Sequence, residues 1–310
     1  MKRTLKSFFV SALMVLVCLT LVACANDSDV VPTVTNLGEK YPEINGAYKI
    51  NKDMIALKMY EAGVKNFNEV DFVATHQIGN ITTKSILGEM TQKLDCLKIK
   101  QDNIYYLDSS TFTTKGTPNI KMSDQSIYEN GAYRVRSAEK GDIKVQKGEM
   151  TVAKWPETEY FDSLENGLVK YPDDLTRINM YIVNSKTIAS ATKPVYDAKN
   201  KTYKFSLVLN INTATEDYLN VMEYKTKKGG ITPKGIKFTK LKLTVVMWDN
   251  GLIKSIANEE AYEVNALGTT NKTTTIATTY FTYDRAEINI NNYLKFWFYK
   301  FVSLILSNSV

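Results

Sequence analysis

The chain has 310 residues, 44% of them hydrophobic, with 39 Lys and Arg against 33 Asp and Glu and a formal net charge of +6. Basic and acidic residues are interleaved along the sequence, which argues against a nucleic-acid-binding surface. This length lies near the upper range for a single domain and allows a sizeable buried core.

The N-terminal residues have the layout of a secretory signal. Three basic residues within residues 2–6 precede an apolar run at residues 8–22, and small Ala23 and then Cys24 follow. The run is too short for a spanning helix, which needs about 20 apolar residues, and polar residues follow it directly. The sequence therefore predicts a cleaved export signal at residues 1–23.

The end of this signal resembles the bacterial lipobox, because Leu21, Val22 and Ala23 precede Cys24. The resemblance implies a diacylglyceryl group on Cys24, cleavage before it, and a lipid anchor on the extracytoplasmic face of the cell membrane. Two acyl chains hold a protein stably at a membrane, so no transmembrane helix is needed. The alternative is an ordinary signal peptide, or an uncleaved anchor that happens to contain a cysteine.

The rest of the chain divides into three predicted parts. Residues 24–45 are the lipidated N-terminus and a flexible tether, since they are polar and lack apolar periodicity. Residues 46–285 form the predicted folded domain. Residues 286–310 form an apolar C-terminal tail.

Three segments carry helical signals. Apolar residues recur every three to four positions from Met54 to Phe67, with Asn51 as the expected N-cap. Residues 157–170 predict a second helix, which Pro172 ends. A third helix is predicted at residues 213–228, where a capping box opens the helix and a Lys-Lys-Gly sequence ends it.

Most of the remaining sequence alternates between apolar and polar residues, the pattern of strands that bury one face. The clearest examples flank the third helix, one running to Ile211 and the other to Met247. Asp249-Asn250-Gly251 predicts a hairpin turn into a strand at residues 253–264. Other strands are predicted at residues 70–75, 94–99, 104–111, 133–137 and 273–283, with a turn at Asn130-Gly131. The predicted class is therefore α+β.

This order of elements resembles bacterial lipoproteins with a LolA or LppX type of fold, including Firmicute lipoproteins of unassigned role. The resemblance covers residues 45–285 and is carried by residues 203–211, Asp217-Tyr218, Gly229-Gly230, 238–248 and 249–264. It implies a large, curved antiparallel β-sheet, an open half-barrel, with a few helices packed on its concave face. In the best-known members of the group the concave face holds acyl chains.

The sequence offers little for catalysis or metal binding. His76 is the single histidine, so a hydrolytic triad has one candidate base, and its place at the end of a predicted strand favours a structural role. Cys96 is expected to be a buried core residue, because Cys18 leaves with the signal and Cys24 carries lipid. The acidic stretch at residues 157–174 is a weak glycosidase signal. We therefore predict no enzyme activity, no cofactor and no metal site.

Two non-enzymatic functions remain open. One is a carrier or binding module for a lipid or other hydrophobic ligand, in which apolar residues of two strands line a cavity. The other is a structural or protein-interaction lipoprotein in which the same residues fill a closed core. The residues concerned are Phe205, Leu207, Leu209, Leu241, Leu243, Val245 and Met247. No motif identifies the ligand or a protein partner.

The C-terminal tail is densely apolar and aromatic at residues 293–306, interrupted by Lys295, Lys300 and Ser303. At this length it does not easily span a bilayer. Trp297 and its aromatic neighbours favour an interfacial helix beside the lipid anchor, with the lysines reaching the headgroups. A final core element and a tail unrelated to the fold are the alternatives.

Overall fold

The computed structural model describes residues 37–86, 88–129, 132–139, 141–155, 159–161, 178–216, 218–219, 236–266 and 269–294. The predicted signal peptide, the predicted lipobox, most of the predicted tether and residues 295–310 lie outside these ranges. Within the described ranges, none of the helices has the length and apolar character needed to cross a membrane.

Strands make up most of the described chain. Helix α1 covers Ala56–Glu69, and the one-turn helix α2 covers Ile211–Ala214. The strands are β1 Phe72–Ser85, β2 Gly88–Gln101, β3 Ile104–Lys115, β4 Lys121–Glu129, β5 Ala132–Glu139, β6 Ile143–Gln146, β7 Glu149–Val152, β8 Glu159–Phe161, β9 Ile188–Ala191, β10 Val195–Asp197, β11 Thr202–Leu209, β12 Lys237–Trp248, β13 Ile253–Ala266 and β14 Thr269–Thr282.

All but β6 and β7 join one antiparallel sheet. Among the described residues it has 12 strands in the order β10-β11-β12-β13-β14-β1-β2-β3-β4-β5-β8, and β9 also pairs with β11. Two meanders, β1 to β5 and β11 to β14, meet where β1 pairs with β14. Since β8 and β10 end the path without pairing to each other, the described sheet stays open. The predicted α+β class and open half-barrel are confirmed.

Side chains alternate between the two faces of this sheet. On β1, Val73 packs in the core that α1 covers, whereas Phe72 and Ala74 pack in a second core on the opposite face. We call these faces the helix side and the outer side. Residues that face each other in the strand register share a side, so the pairing assigns the residues of this sheet to one side or the other.

Helix α1 packs its apolar stripe against β11, β12 and β13 on the helix side, as the sequence periodicity predicts. Gly63 allows the close approach. A Cβ at this position would lie 2.8 Å from side-chain atoms of both Ile253 and Met247. The helix therefore lies tightly against the C-terminal half of the sheet.

Asn66 ties α1 to two other parts of the chain. Its Oδ1 accepts a hydrogen bond from the Tyr48 backbone N–H at 2.8 Å, and its Nδ2 donates to the Tyr48 carbonyl at 2.9 Å and the Gly251 carbonyl at 2.8 Å. Gly251 lies in the predicted hairpin turn between β12 and β13 and has φ +91°, which glycine adopts without strain. The helix, the N-terminal arm and this turn therefore meet at one buried side chain.

The first helix begins later than its sequence signal predicts. Its N-cap is Ile55, whose side chain cannot accept a capping hydrogen bond. Asn51 lies in a preceding turn, where its Oδ1 accepts a hydrogen bond from the Asp53 backbone N–H at 3.0 Å. The prediction of Asn51 as N-cap is wrong, because the residue stabilises a local turn instead.

The other two predicted helices also differ from the structure. The one-turn helix α2 has Asn210 as its N-cap, with the side chain accepting from the Asn212 N–H, and has Thr215 as its C-cap. Glu216, Tyr218 and Leu219 are helical within the predicted range, and the Leu219 N–H donates to the Thr215 carbonyl at 2.8 Å. Residues 217 and 220–235 lie outside the described residues. The helix predicted at residues 157–170 is wrong at Glu159–Phe161, which form β8 on the edge of β5. Backbone pairing with an open sheet edge prevails there over helical periodicity, and residues 162–177 lie outside the described residues.

The outer side of β1 to β4 carries the second core. Ile288, Ile290, Tyr293 and Leu294 pack there against the sheet, and the Tyr293 ring lies 5.3 Å from that of Tyr106. The packed fold therefore extends past the predicted boundary at residue 285, because these apolar residues cover a sheet face that would otherwise be exposed. The rest of the predicted tail lies outside the described residues.

Candidate functional site

The seven residues predicted to line a ligand cavity lie together on the helix side. Each is at most 3% exposed, and all seven belong to the core that α1 covers. The seven are Phe205, Leu207 and Leu209 on β11, and Leu241, Leu243, Val245 and Met247 on β12. Two pockets are described below, one beside α1 and one at the N-terminal arm. None of the seven residues lines either pocket. Alternation therefore identified one face correctly, and in the described structure that face is a packed core.

We expect Val245→Phe to destabilise the domain by about 1 to 3 kcal/mol, because overpacking forces neighbouring side chains to shift. Val245 is 0% exposed and faces Phe205 and Ile256 on the adjacent strands. Thermal unfolding measures the change, with Thr244→Lys on the partly exposed outer side as the control. An unchanged melting temperature for Val245→Phe would instead indicate free volume at this face and support the predicted cavity.

A cleft of about 690 Å³ opens beside α1 on the helix side. It lies between α1, the hairpin that joins β2 to β3, and the irregular segment at residues 178–183. Small-molecule sites commonly have volumes of about 300–1,000 Å³. The second described pocket, where residues 40–44 meet residues 281–285, has about 110 Å³ and is too small for most ligands. The larger cleft is therefore the candidate site.

One wall of the cleft is apolar. Val64 of α1 and Ile178, Ile182 and Val183 of the irregular segment face it, and each is partly exposed. Tyr105 of β3 adds an aromatic surface on the sheet. Such a lining removes apolar ligand atoms from water, which stabilises binding by about 0.8 kcal/mol for each methylene buried.

Polar contacts hold the irregular segment in place. Asn179 donates from Nδ2 to the Tyr60 hydroxyl of α1 at 2.6 Å, and the Ile182 backbone N–H donates to the Ala214 carbonyl at 3.0 Å. The Tyr181 hydroxyl is hydrogen-bonded to the buried carboxyl of Glu260. Burial raises the pKa of Glu260 above its usual value. The apolar wall is therefore fixed to both α1 and the sheet before any ligand arrives.

Lys100 supplies a positive charge at the sheet side of the cleft. It lies on β2 between Val73 and Tyr105 in the strand register, and so it faces the helix side. Its ammonium group donates to the carbonyls of Asn68 at 2.6 Å and Phe67 at 3.3 Å, which end α1. Burial lowers the pKa of Lys100, while Asp71 acts in the opposite direction.

The α1 edge of the cleft carries one more positive and one negative side chain. Lys65 is exposed, and its Nζ lies 5.0 Å from the centre of the Tyr48 ring. Glu61 forms an ion pair with Lys58 at 2.6 Å, one turn earlier on the helix. The cleft therefore combines an apolar wall with two cationic groups, an arrangement that suits an amphiphile.

Neither His76 nor Cys96 lines this cleft. His76 is on the outer side, where its Nε2 is 2.7 Å from Asp95 Oδ1. Cys96 is buried on the helix side, and burial raises the pKa of its thiol, which keeps the sulfur in its unreactive form. No cluster of three or more His, Cys, Asp or Glu side chains able to hold a metal occurs in the parts of the chain that the structure describes.

Sequence patterns did not identify the cleft residues. Lys100 follows directly after the strand predicted at residues 94–99, and Tyr105 lies at the start of the next one. Lys100 and Tyr105 are the sequence neighbours of Ile99 and Tyr106, which lie on the outer side. Strand alternation therefore could have predicted that both lie on the helix side. Residues 178–183, in contrast, belong to none of the predicted elements, and only the fold brings them to α1.

Comparisons with known proteins assign no family. No protein-family model matches the chain, and no curated protein matches it. Among solved structures, LprF from Mycobacterium bovis is 10% identical, with a TM-score of 0.26, over 71% of this chain and 90% of that one. A beta-barrel-like protein of domain of unknown function DUF1849 from Brucella abortus is 10% identical, with a TM-score of 0.25, over 69% of this chain and 99% of that one. Scores this low identify neither a family nor a ligand.

Proposed function

We propose that this chain is a lipid-anchored, extracytoplasmic lipoprotein that binds an amphiphile and has no catalytic role. The observation that carries the proposal is the cleft of about 690 Å³ with an apolar wall and cationic groups at its edge. The open sheet with a helix on one face supports the resemblance to LolA and LppX lipoproteins that the sequence indicates. The lipobox at Leu21 to Cys24 supports anchoring to a membrane from which such a ligand could be drawn.

Titration of the purified mature protein with a fluorescent fatty acid tests the binding proposal. We expect saturable binding of one molecule per chain, displaced by an unlabelled long-chain fatty acid. Absence of saturable binding of any amphiphile would contradict the proposal. It would then favour a structural or protein-interaction lipoprotein, the reading that the packed core around Leu207 and Leu243 supports.

The non-catalytic proposal is supported by the placement of His76, which pairs with Asp95 on the outer side and does not line the cleft. Hydrolysis assays on ester, peptide and glycoside substrates test it. Turnover that disappears in a folded His76→Ala variant would contradict it.

Replacing Cys24 by Ala is expected to abolish lipid attachment and lipoprotein-type cleavage, because the thiol is the group that the lipobox resemblance assigns to acylation. Metabolic labelling with a radioactive fatty acid in the native host measures the effect. Cys18→Ala, which removes the other signal cysteine, is the control and should label as the wild type does. Equal labelling of the Cys24→Ala protein would refute the anchor.

A further inference from the structure

Among the described residues, the ammonium group of Lys100 uses two of its three hydrogen-bond donors. A lysine carries three N–H donors. Two of them reach the Phe67 and Asn68 carbonyls at the end of α1. These contacts place the nitrogen at the cleft lining, and no described residue accepts a hydrogen bond from the third donor.

No carboxylate of the described residues is paired with the charge of Lys100. Among the described residues, Lys100 forms no ion pair, and the nearby acids are engaged elsewhere or exposed. Glu61 is paired with Lys58, and Glu69 accepts a hydrogen bond from the Tyr48 hydroxyl at 2.8 Å. Asp71 is exposed and interacts with Lys100 only through its longer-range field. A half-buried cation of this kind is stabilised by an anion that enters the site.

The apolar wall and this cation line the same cleft. Ile178, Ile182 and Val183 provide a surface for a hydrocarbon chain, and Lys100 provides a contact for an oxyanion. Lys65 at the α1 edge adds a second positive charge within the lining. An amphiphile with an anionic end matches both surfaces at once, whereas a neutral one leaves Lys100 without a counterion.

We propose that the cleft binds a single-chain or double-chain amphiphile through its oxyanion head, a carboxylate or a phosphate, with Lys100 as the residue that contacts that head. This deepens the proposed amphiphile binding and depends on it. The role of Lys100 is to set the preference for charge, while the apolar wall supplies the affinity for the chain.

Competition against a fluorescent fatty acid with matched twelve-carbon ligands tests this assignment. The ligands are dodecanoate, dodecyl phosphate and dodecanol, each below the concentration at which it forms micelles. We expect both anionic ligands to bind about tenfold more tightly than the alcohol, since a charge-assisted hydrogen bond is gained. Tighter binding of dodecanoate than of dodecyl phosphate would assign a carboxylate head, and the reverse order would assign a phosphate.

Variants of Lys100 separate this role from its support of α1. In Lys100→Gln the preference for the anions should fall to about twofold or less, whereas Lys100→Arg should keep it. Lys144→Gln, on the separate β6–β7 hairpin, is the matched control and should bind as the wild type does. If Lys100→Gln fails to fold, the anionic preference is still tested by comparing dodecanoate with dodecanol in the wild type and in Lys100→Arg.

Three results would overturn the assignment. Equal affinity of the wild type for dodecanol and both anions would remove the anionic preference while leaving amphiphile binding intact. Retention of the full preference in folded Lys100→Gln would place the anion elsewhere. Failure of all three ligands to bind would overturn this assignment together with the proposed function.

Discussion

Asn66→Ala is expected to lower the free energy of unfolding by about 3 kcal/mol, the largest stability effect of any single polar substitution that we predict. Asn66 is 1% exposed and its carboxamide makes three hydrogen bonds, two with the Tyr48 backbone and one with the Gly251 carbonyl. Removing it leaves those backbone groups without partners, at about 1–3 kcal/mol for each that water cannot reach. The expected fall in melting temperature is about 6–12 °C for a domain of this size.

Asn68→Ala is the matched control, since Asn68 is an exposed asparagine on the same helix and gives only its backbone carbonyl to Lys100. Its melting temperature should stay close to that of the wild type. Calorimetry of both variants measures the difference. If Asn66→Ala were no less stable than Asn68→Ala, the junction of helix, arm and turn would not be a structural unit.

Ile182→Trp is expected to weaken amphiphile binding about tenfold while the domain stays folded. Ile182 lines the cleft and does not belong to the main core, so a larger ring at this position extends into the cleft. Displacing two ligand methylenes removes about 1.6 kcal/mol of binding free energy, which corresponds to roughly a tenfold rise in Kd. The fluorescent fatty acid titration measures the change.

Ile276→Trp provides the control for that experiment. Ile276 is 60% exposed on the outer side of β14, so the same substitution there leaves the cleft unchanged. Binding by this variant should equal that of the wild type. Unaltered binding by a folded Ile182→Trp protein would show that the amphiphile occupies another part of the molecule.

The long strands were predictable because each buries one face and therefore alternates along most of its length. Leu241 to Met247 illustrate this, since every second residue is at most 2% exposed. The Asp249-Asn250-Gly251 turn was predictable for a different reason, since its glycine satisfies a local requirement for positive φ. Features that depend on near neighbours in sequence were therefore visible without the structure.

The short strands and the cleft were not predictable, because they depend on contacts between distant parts of the chain. Strand β8 has three residues and gains its conformation from pairing with β5. The β6–β7 hairpin and β9 have four residues in each strand, too few for a periodicity to show. Lys100 and Ile182 are 82 positions apart in the chain, and only the fold brings both of them to the lining of one cleft.

The position of the cleft also depends on which residues of the helix side α1 covers, and alternation alone cannot predict this. Apolar residues on the helix side of β11 and β12 are covered by α1, so they form the core. Beyond the C-terminal end of α1, Lys100 and Tyr105 replace apolar residues on the same side. The open volume therefore lies beside the helix, where its coverage of the sheet ends.

Native mass spectrometry of the mature protein, purified gently from its own host, tests the central claim most directly. Binding in the cleft predicts a stoichiometric lipid-sized mass in addition to the polypeptide with its proposed acyl groups, present in the wild type and reduced in Ile182→Trp. Fragmentation should release it as an anion. A wild-type spectrum that shows no mass beyond this polypeptide, and that stays unchanged after incubation with anionic amphiphiles, would contradict the claim.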